Sequence, residues 1–317
     1  MTAVLATAPD PTAALQSRLA GQPHFLSVCL ELLRVWPQHH AFVEKSVNER
    51  SPELLAHTEV LAEMVVRIAD GRLAAMCSGY RQMCAWFMEE ELFFRRNGRY
   101  RASNYAEVEA AIYASRDIMT GYMHGLLLSQ ILWTNHTAVS LYFDEFLGRL
   151  PAGYQLLEIG PGHGLALYRA LVHPSCGDAC AWDVSEASLR LTRHALQKLG
   201  AGDAELDRRS IFDQTEERFD AVVCSEVLEH LEDPGAAVAA LAKLMAPDGL
   251  AFINVPCNSP APDHISLFRQ PEEILTLLER NGLSVIDHRF FPATGLTLER
   301  ARKAGMTMSC AAICRPQ

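Results

Sequence analysis

No run in this sequence is long and apolar enough to span a bilayer, and no basic start followed by an apolar block marks a secretory leader. The first 22 residues, rich in Ala, Thr and Pro, are expected to form a flexible tail. Excess positive charge is missing too. Acidic side chains (38) outnumber basic ones (28) for a net charge of −10, which argues against nucleic acid or a membrane as partner and leaves a small molecule. Paired cysteine spacing is also absent. The nine cysteines are scattered, several inside apolar runs, so reduced thiols in a cytoplasmic protein are expected rather than a disulfide framework. What remains is a chain of 317 residues, 49% hydrophobic and 21% charged, able to bury the cores of about two domains.

One stretch organises the rest: Leu156-Leu157-Glu158-Ile159-Gly160-Pro161-Gly162-His163-Gly164. Its apolar lead-in reads as a buried strand, and the glycines as a tight turn before a helix. A residue without a Cβ lets a nucleotide-like ligand lie directly on the backbone. Alone, such a turn is also ordinary strand-to-helix punctuation.

Residues 23–150 read as a helical domain. Apolar spacing predicts a helix from His24 to Val47 broken at Pro37, a second helix opened by Ser51-Pro52-Glu53 and ended by Asp70-Gly71, and a third over Ser78 to Leu92. Phe93 to Arg101 holds an Asn97-Gly98 pair between short flanks, the signal of a hairpin, and helix, helix, hairpin is the order of a winged helix. Its four arginines could read DNA, but Glu89, Glu90 and Glu91 just before them would repel phosphate. Asn104 and Glu107 form a capping pattern for a helix reaching Trp133, and a last helix covers Thr137 to Leu147.

From 151 to 317 the pattern alternates between strands and helices, which predicts a parallel α/β sheet. Strands are expected at Gln155 to Ile159, Ala179 to Asp183, Ala204 to Ile211, Phe219 to Cys224, Leu250 to Val255, Ser284 to Phe290 and Thr307 to Cys314. Helices are expected at Ser185 to Leu199, Pro234 to Met245 and Pro271 to Asn281. Asp183 ends the second strand where a carboxylate can accept ribose hydroxyls, though it can equally cap the following helix.

Five pieces now stand in register: LLEIGPGHG at 156–164, WDVS at 182–185, FD at 212–213, FDAVVCSEVLEHLEDP at 219–234 and APDGLAFINVP at 246–256. In order and spacing they resemble the class I S-adenosylmethionine-dependent methyltransferases over roughly Gln155 to Pro256. The resemblance implies a Rossmann-like seven-stranded sheet in the order 3-2-1-4-5-7-6 with the seventh strand antiparallel. It also implies a cofactor site in which Glu158, Gly160 and Gly162 line the methionine portion, Asp183 the ribose, and Phe212 with Asp213 the adenine, with Val184 and Ser225 completing the set. A dinucleotide-dependent oxidoreductase is disfavoured because the glycines run GxGxG, not GxGxxG. A DNA methyltransferase is disfavoured because Val255-Pro256-Cys257-Asn258 stands where an Asn/Asp-Pro-Pro-aromatic motif belongs. The Asn97-Gly98-Arg99-Tyr100 hairpin resembles the wing of the amino-terminal domain of small-molecule O-methyltransferases, which packs subunits together; that implies a homodimer through this domain.

Three histidines are candidates for the chemistry. His230 follows the fourth strand and His264 the fifth, neighbours in the implied order, while His136 lies on the segment that would cover the cleft. Together they could hold a divalent metal such as zinc or iron with positions left for substrate. One of them could instead act alone as general base, oriented by Glu226 or Asp263, and a buried His136 could simply satisfy a backbone group. With a metal, a 2-oxo acid chelated through its carboxylate and keto oxygen would lose a C3 proton to give a stabilised enolate, and C3 would attack the methyl group. This arrangement is similar to the α-keto acid C-methyltransferases of natural-product pathways. The other reading is a metal-free O-methyltransferase of a phenolic or carboxylate metabolite. A regulatory protein that only senses the cofactor would not need the histidine-rich cleft.

Overall fold

The computed structural model describes residues 12–108 and 116–317. Helices come first: α1 (Ala13–Arg18), α2 (Pro23–Val35), α3 (His40–Asn48), α4 (Pro52–Ala69), α5 (Leu73–Asn97), α6 (Tyr105–Val108), α7 (Arg116–Leu132) and α8 (Thr134–Leu147). An alternating half follows: β1 (Tyr154–Ile159), α9 (Leu165–Val172), β2 (Cys176–Asp183), α10 (Glu186–Leu199), β3 (Leu206–Arg208), β4 (Phe219–Ser225), α11 (Pro234–Leu244), β5 (Met245–Cys257), α12 (Pro271–Arg280), β6 (Leu283–Pro292), α13 (Leu298–Ala304) and β7 (Met308–Pro316).

Local chemistry sets most boundaries. Pro37 cannot continue a helix, so α2 stops at Val35 and a short 3-10 turn leads into α3. Ser51 Oγ accepts the Leu54 N–H at 3.1 Å with Pro52 in the first helical position, a cap that contributes about 1 kcal/mol. At the far end Asp70 turns left-handed (φ 47°) and stops α4.

Three sequence expectations need correction. Residues 12–22 are not loose: α1 packs, and Leu15 and Leu19 are buried in the helical core, because their apolar side chains fill the space beside α2 and α3. The 93–101 hairpin is absent. α5 runs on through Asn97, and Gly98 (φ 66°) caps it by donating its N–H to the Phe94 carbonyl at 2.7 Å. Strand β3 is only three residues long, shorter than the expected Ala204 to Ile211. The helix expected from Asn104 to Trp133 is seen as α6 and α7; how they join lies outside the described residues.

The sheet order is β3-β2-β1-β4-β5-β7-β6, with β7 antiparallel to both β5 and β6 and the other pairs parallel, as the resemblance implies. Alternation along the strands splits the core in two. Leu157, Val222 and Ile253 face α11 and α12, whereas Leu156, Val223 and Phe252 face α8 and α9. α8 thus packs its Val139, Tyr142, Phe143 and Phe146 directly on the sheet, although its sequence reads as part of the helical half. All nine cysteines are free thiols. Among the described residues no helix is long and apolar enough to cross a membrane.

Candidate active site

β1 ends at Ile159 and the chain turns through Gly160 (φ 68°), Gly162 (φ 50°) and Gly164 (φ 75°) into α9. Gly160 leaves no room for a side chain: an added Cβ would lie 2.8 Å from Val227 Cγ2, in a backbone conformation already unfavourable for other residues. Beside this turn opens a cavity. The sheet half supplies Glu158, Ser225, Glu226, Glu229, His230, Asp263 and His264 to its wall, and the helical half supplies Phe87, Tyr122, Trp133 and His136.

Glu158, Gly160, Gly162 and Ser225 line this one cavity. Glu158 is buried, one carboxylate oxygen lacks a partner, and burial pushes its carboxyl up to about 8. Asp183, Val184, Phe212 and Asp213 do not line this cavity; they stand at and beyond the carboxyl ends of β2 and β3. Asp183 Oδ1 accepts the Ser185 N–H at 2.8 Å, and Asp213 Oδ2 that of Ser210 at 2.9 Å. The Val184 and Phe212 side chains are exposed, an open shelf beside the ribose position the sequence assigns.

Two of the histidines that line the cavity meet. His230 and His264 rings lie 5.0 Å apart and nearly perpendicular. His230 Nδ1 donates to the Asp263 carbonyl at 2.9 Å and His264 Nδ1 to the Ser259 carbonyl at 2.6 Å, so each ring carries its proton on Nδ1. Each Nε2 lone pair is left facing Glu229, whose Oε1 is 3.7 Å from one and 4.0 Å from the other. Glu229 is fully buried, and neither of its carboxylate oxygens has a hydrogen-bond donor. Burial and the neighbouring Glu226 push its carboxyl well up. Three electron-rich atoms around one point are satisfied by a cation or by a proton on Glu229.

The donor atoms of Glu229, His230 and His264 lie within 4.8 Å of one another, a carboxylate and two imidazoles that suit a first-row divalent metal. His136, expected as the third ligand, does not belong to this cluster. It lines the same cavity, but its Nδ1 meets Ser129 Oγ (3.0 Å) and Gln130 Nε2 (3.2 Å), and its ring packs edge-on to Trp133. Glu229 takes its place, a residue the sequence reading passed over although it directly precedes His230.

The remaining acids surround the cluster. Asp263 is buried; burial opposes its ionisation, yet His230, His264 and the Tyr122 hydroxyl outweigh burial and hold the carboxyl below its usual range. Glu226 sits at a left-handed φ of 57°, unusual for a side chain of its kind, and its Oε1 accepts the Asn254 amide at 2.8 Å. Burial raises its carboxyl as well.

The family described as "Methyltransferase domain" matches residues 134–301, from the start of α8 to α13. A ubiquinone biosynthesis O-methyltransferase of Alkalilimnicola ehrlichii is 36% identical over 110 residues, 34% of this chain and 43% of that protein. One of Thiobacillus denitrificans is 32% identical over 157 residues, 49% of this chain and 65% of its own length. The chain therefore spans less than two thirds of these curated relatives. The solved structure of mitomycin 7-O-methyltransferase shares the fold with a TM-score of 0.51 at 15% identity, covering 78% of this chain and 71% of that one. With the matching family, the sheet order and the glycine turn in agreement, this chain belongs to the methyltransferase domain family and has the class I sheet.

Proposed function

We propose that the enzyme methylates C3 of a small 2-oxo acid with the help of a divalent cation. The observation that carries this reading is the Glu229, His230 and His264 cluster, with Glu229 and His264 buried, His230 half-buried and the carboxylate short of donors, in the wall of the cavity that opens beside the glycine turn. A cation held there would supply Lewis-acid stabilisation to a chelated enolate. The chain's own residues do the rest. Asp263 and Ser259 carbonyls keep both imidazoles with Nε2 turned inward, and Glu226, held at Oε1 by Asn254, is the base for the C3 proton. Phe87, Tyr122 and Trp133 wall off water. On the cofactor side, Glu158 and the glycine turn would receive the methionine portion and Asp183 the ribose.

A second reading is O-methylation, which the curated relatives' names favour. Here Nε2 of His264, whose burial drives the ring down to about 4 and keeps it neutral, takes the hydroxyl proton. Elemental analysis of the untagged protein separates the two. We expect near-stoichiometric metal that is lost in Glu229→Ala, His230→Ala and His264→Ala and kept in His136→Ala, followed by turnover of 2-oxo acids. No metal after reconstitution would overturn the first reading and direct the search to hydroxyl and carboxylate acceptors.

A further inference from the structure

The loop that presents His264 and Asp263 follows β5, but two tyrosines of the helical half hold it. The Tyr100 hydroxyl accepts the Ser259 backbone N–H at 3.0 Å, and its ring stands edge-on to His264 with centroids 5.9 Å apart. The carbonyl of that same Ser259 takes the His264 Nδ1 proton. Tyr122, from α7, donates its hydroxyl to Asp263 Oδ1 at 2.6 Å, and the Asp263 carbonyl takes the Nδ1 proton of His230. Tyr100, Tyr122 and Asp263 are all buried. Each histidine is therefore two hydrogen bonds from one tyrosine oxygen, by separate routes.

We propose that Tyr100 and Tyr122 are positioning residues, Tyr100 fixing the orientation and tautomer of His264 through Ser259, and Tyr122 those of His230 through Asp263. A carbonyl can only accept, so its position selects the Nδ1–H tautomer and turns Nε2 inward. Gripping the Ser259 N–H or the Asp263 carboxylate fixes the residue whose carbonyl does this. Removing either hydroxyl takes a hydrogen bond away from a buried polar group, and the peptide it held shifts. The functional importance rests on the histidines serving the reaction as proposed above; the orienting itself does not depend on the acceptor or on a metal.

The test reads the rings directly. Long-range proton–nitrogen correlation spectra of the chelator-treated, nitrogen-15-labelled protein at one fixed neutral pH, assigned with His230→Gln and His264→Gln, should give a protonated Nδ1 and a bare Nε2 at both rings. Tyr122→Phe should average the nitrogen shifts of His230 and leave His264 intact; Tyr100→Phe should do the reverse. Thermal melts check that the variants fold, and Asp263→Ala, expected to repeat the Tyr122→Phe pattern, reaches the same link from its other side. Unchanged rings in the variants, or both rings moving together, overturn the proposal. Cobalt(II) binding keeps the two ideas apart. Where the wild type binds cobalt, each tyrosine variant should weaken it about 10–100-fold, and equal affinity counts against positioning. A wild type that binds none removes the metal reading, and the tautomer pattern still decides this one.

Discussion

Glu158, one residue before the end of the first strand, stands where its charge is unwelcome. The folded chain favours the protonated carboxyl, raised by burial from 4.5 to about 8. Its contribution to stability is therefore whole below pH 4.5 and is lost as pH rises towards 8. Glu158→Gln, neutral at every pH, should gain about 3 kcal/mol over the parent at pH 7 and nothing near pH 4.5, read by urea unfolding at the two values. A variant no more stable at pH 7 would mean that a donor faces the carboxylate. The same substitution should weaken S-adenosylmethionine binding about tenfold in calorimetry, since the cofactor's cationic amino group would draw the proton off Glu158 and pair with the carboxylate, and a glutamine cannot ionise. Buried histidines act in the other direction. Burial lowers His39 and His163 to about 4 and His57 and His136 to about 3, so their contribution is whole above 6.5 and is lost as pH falls towards those values.

Among the elements, the end of α5 explains a misreading. Asn97-Gly98 suits a hairpin turn and a left-handed helix cap equally well, and the sequence window cannot separate them. What decides is tertiary: Phe94 is buried against the body of the protein, and Arg101 folds back to Glu90 at 2.8 Å and over the Phe93 ring at 4.4 Å. Arg95 pairs with Glu91 and Arg101 with Glu90, so two of the arginines that resembled a wing neutralise carboxylates of their own helix. At β2 the constraint is spatial. A Cβ on Gly177 would sit 2.5 Å from the Gly153 carbonyl oxygen, backbone against backbone. Gly177→Ala should cost roughly 2–3 kcal/mol by chemical unfolding, while Gly21→Ala, which meets nothing within 4 Å, stays within about 0.5 kcal/mol. Equal effects would show that the sheet yields at that corner.

The sheet and glycine turn were legible because their signals are local: apolar runs, turn residues, and a carboxylate at a strand end. His230 and His264 were legible because the order of strands brings β4 and β5 together. Glu229 was hidden because a glutamate before a histidine reads as a solvated helix face, and only the short turn over Leu228–His230 buries it. Tyr100 and Tyr122 reach partners 159 and 141 positions away, a pairing that no window contains.

At the scale of the whole molecule, the helical and sheet halves line one cavity, so neither half completes it alone. β7 lies between β5 and β6 and buries Cys310, Ala311, Ala312 and Ile313 there. A chain stopped at Gly305 should lose the cooperative thermal transition followed by circular dichroism; a normal melt would mean that β5 tolerates an open edge. This threading also sets an order on biosynthesis. The helices leave the ribosome first, with their tyrosines made long before the loop they hold, and the central sheet waits for a strand translated after both of its neighbours. Throughout that interval the flank of β5 that β7 will cover has no strand to pair with.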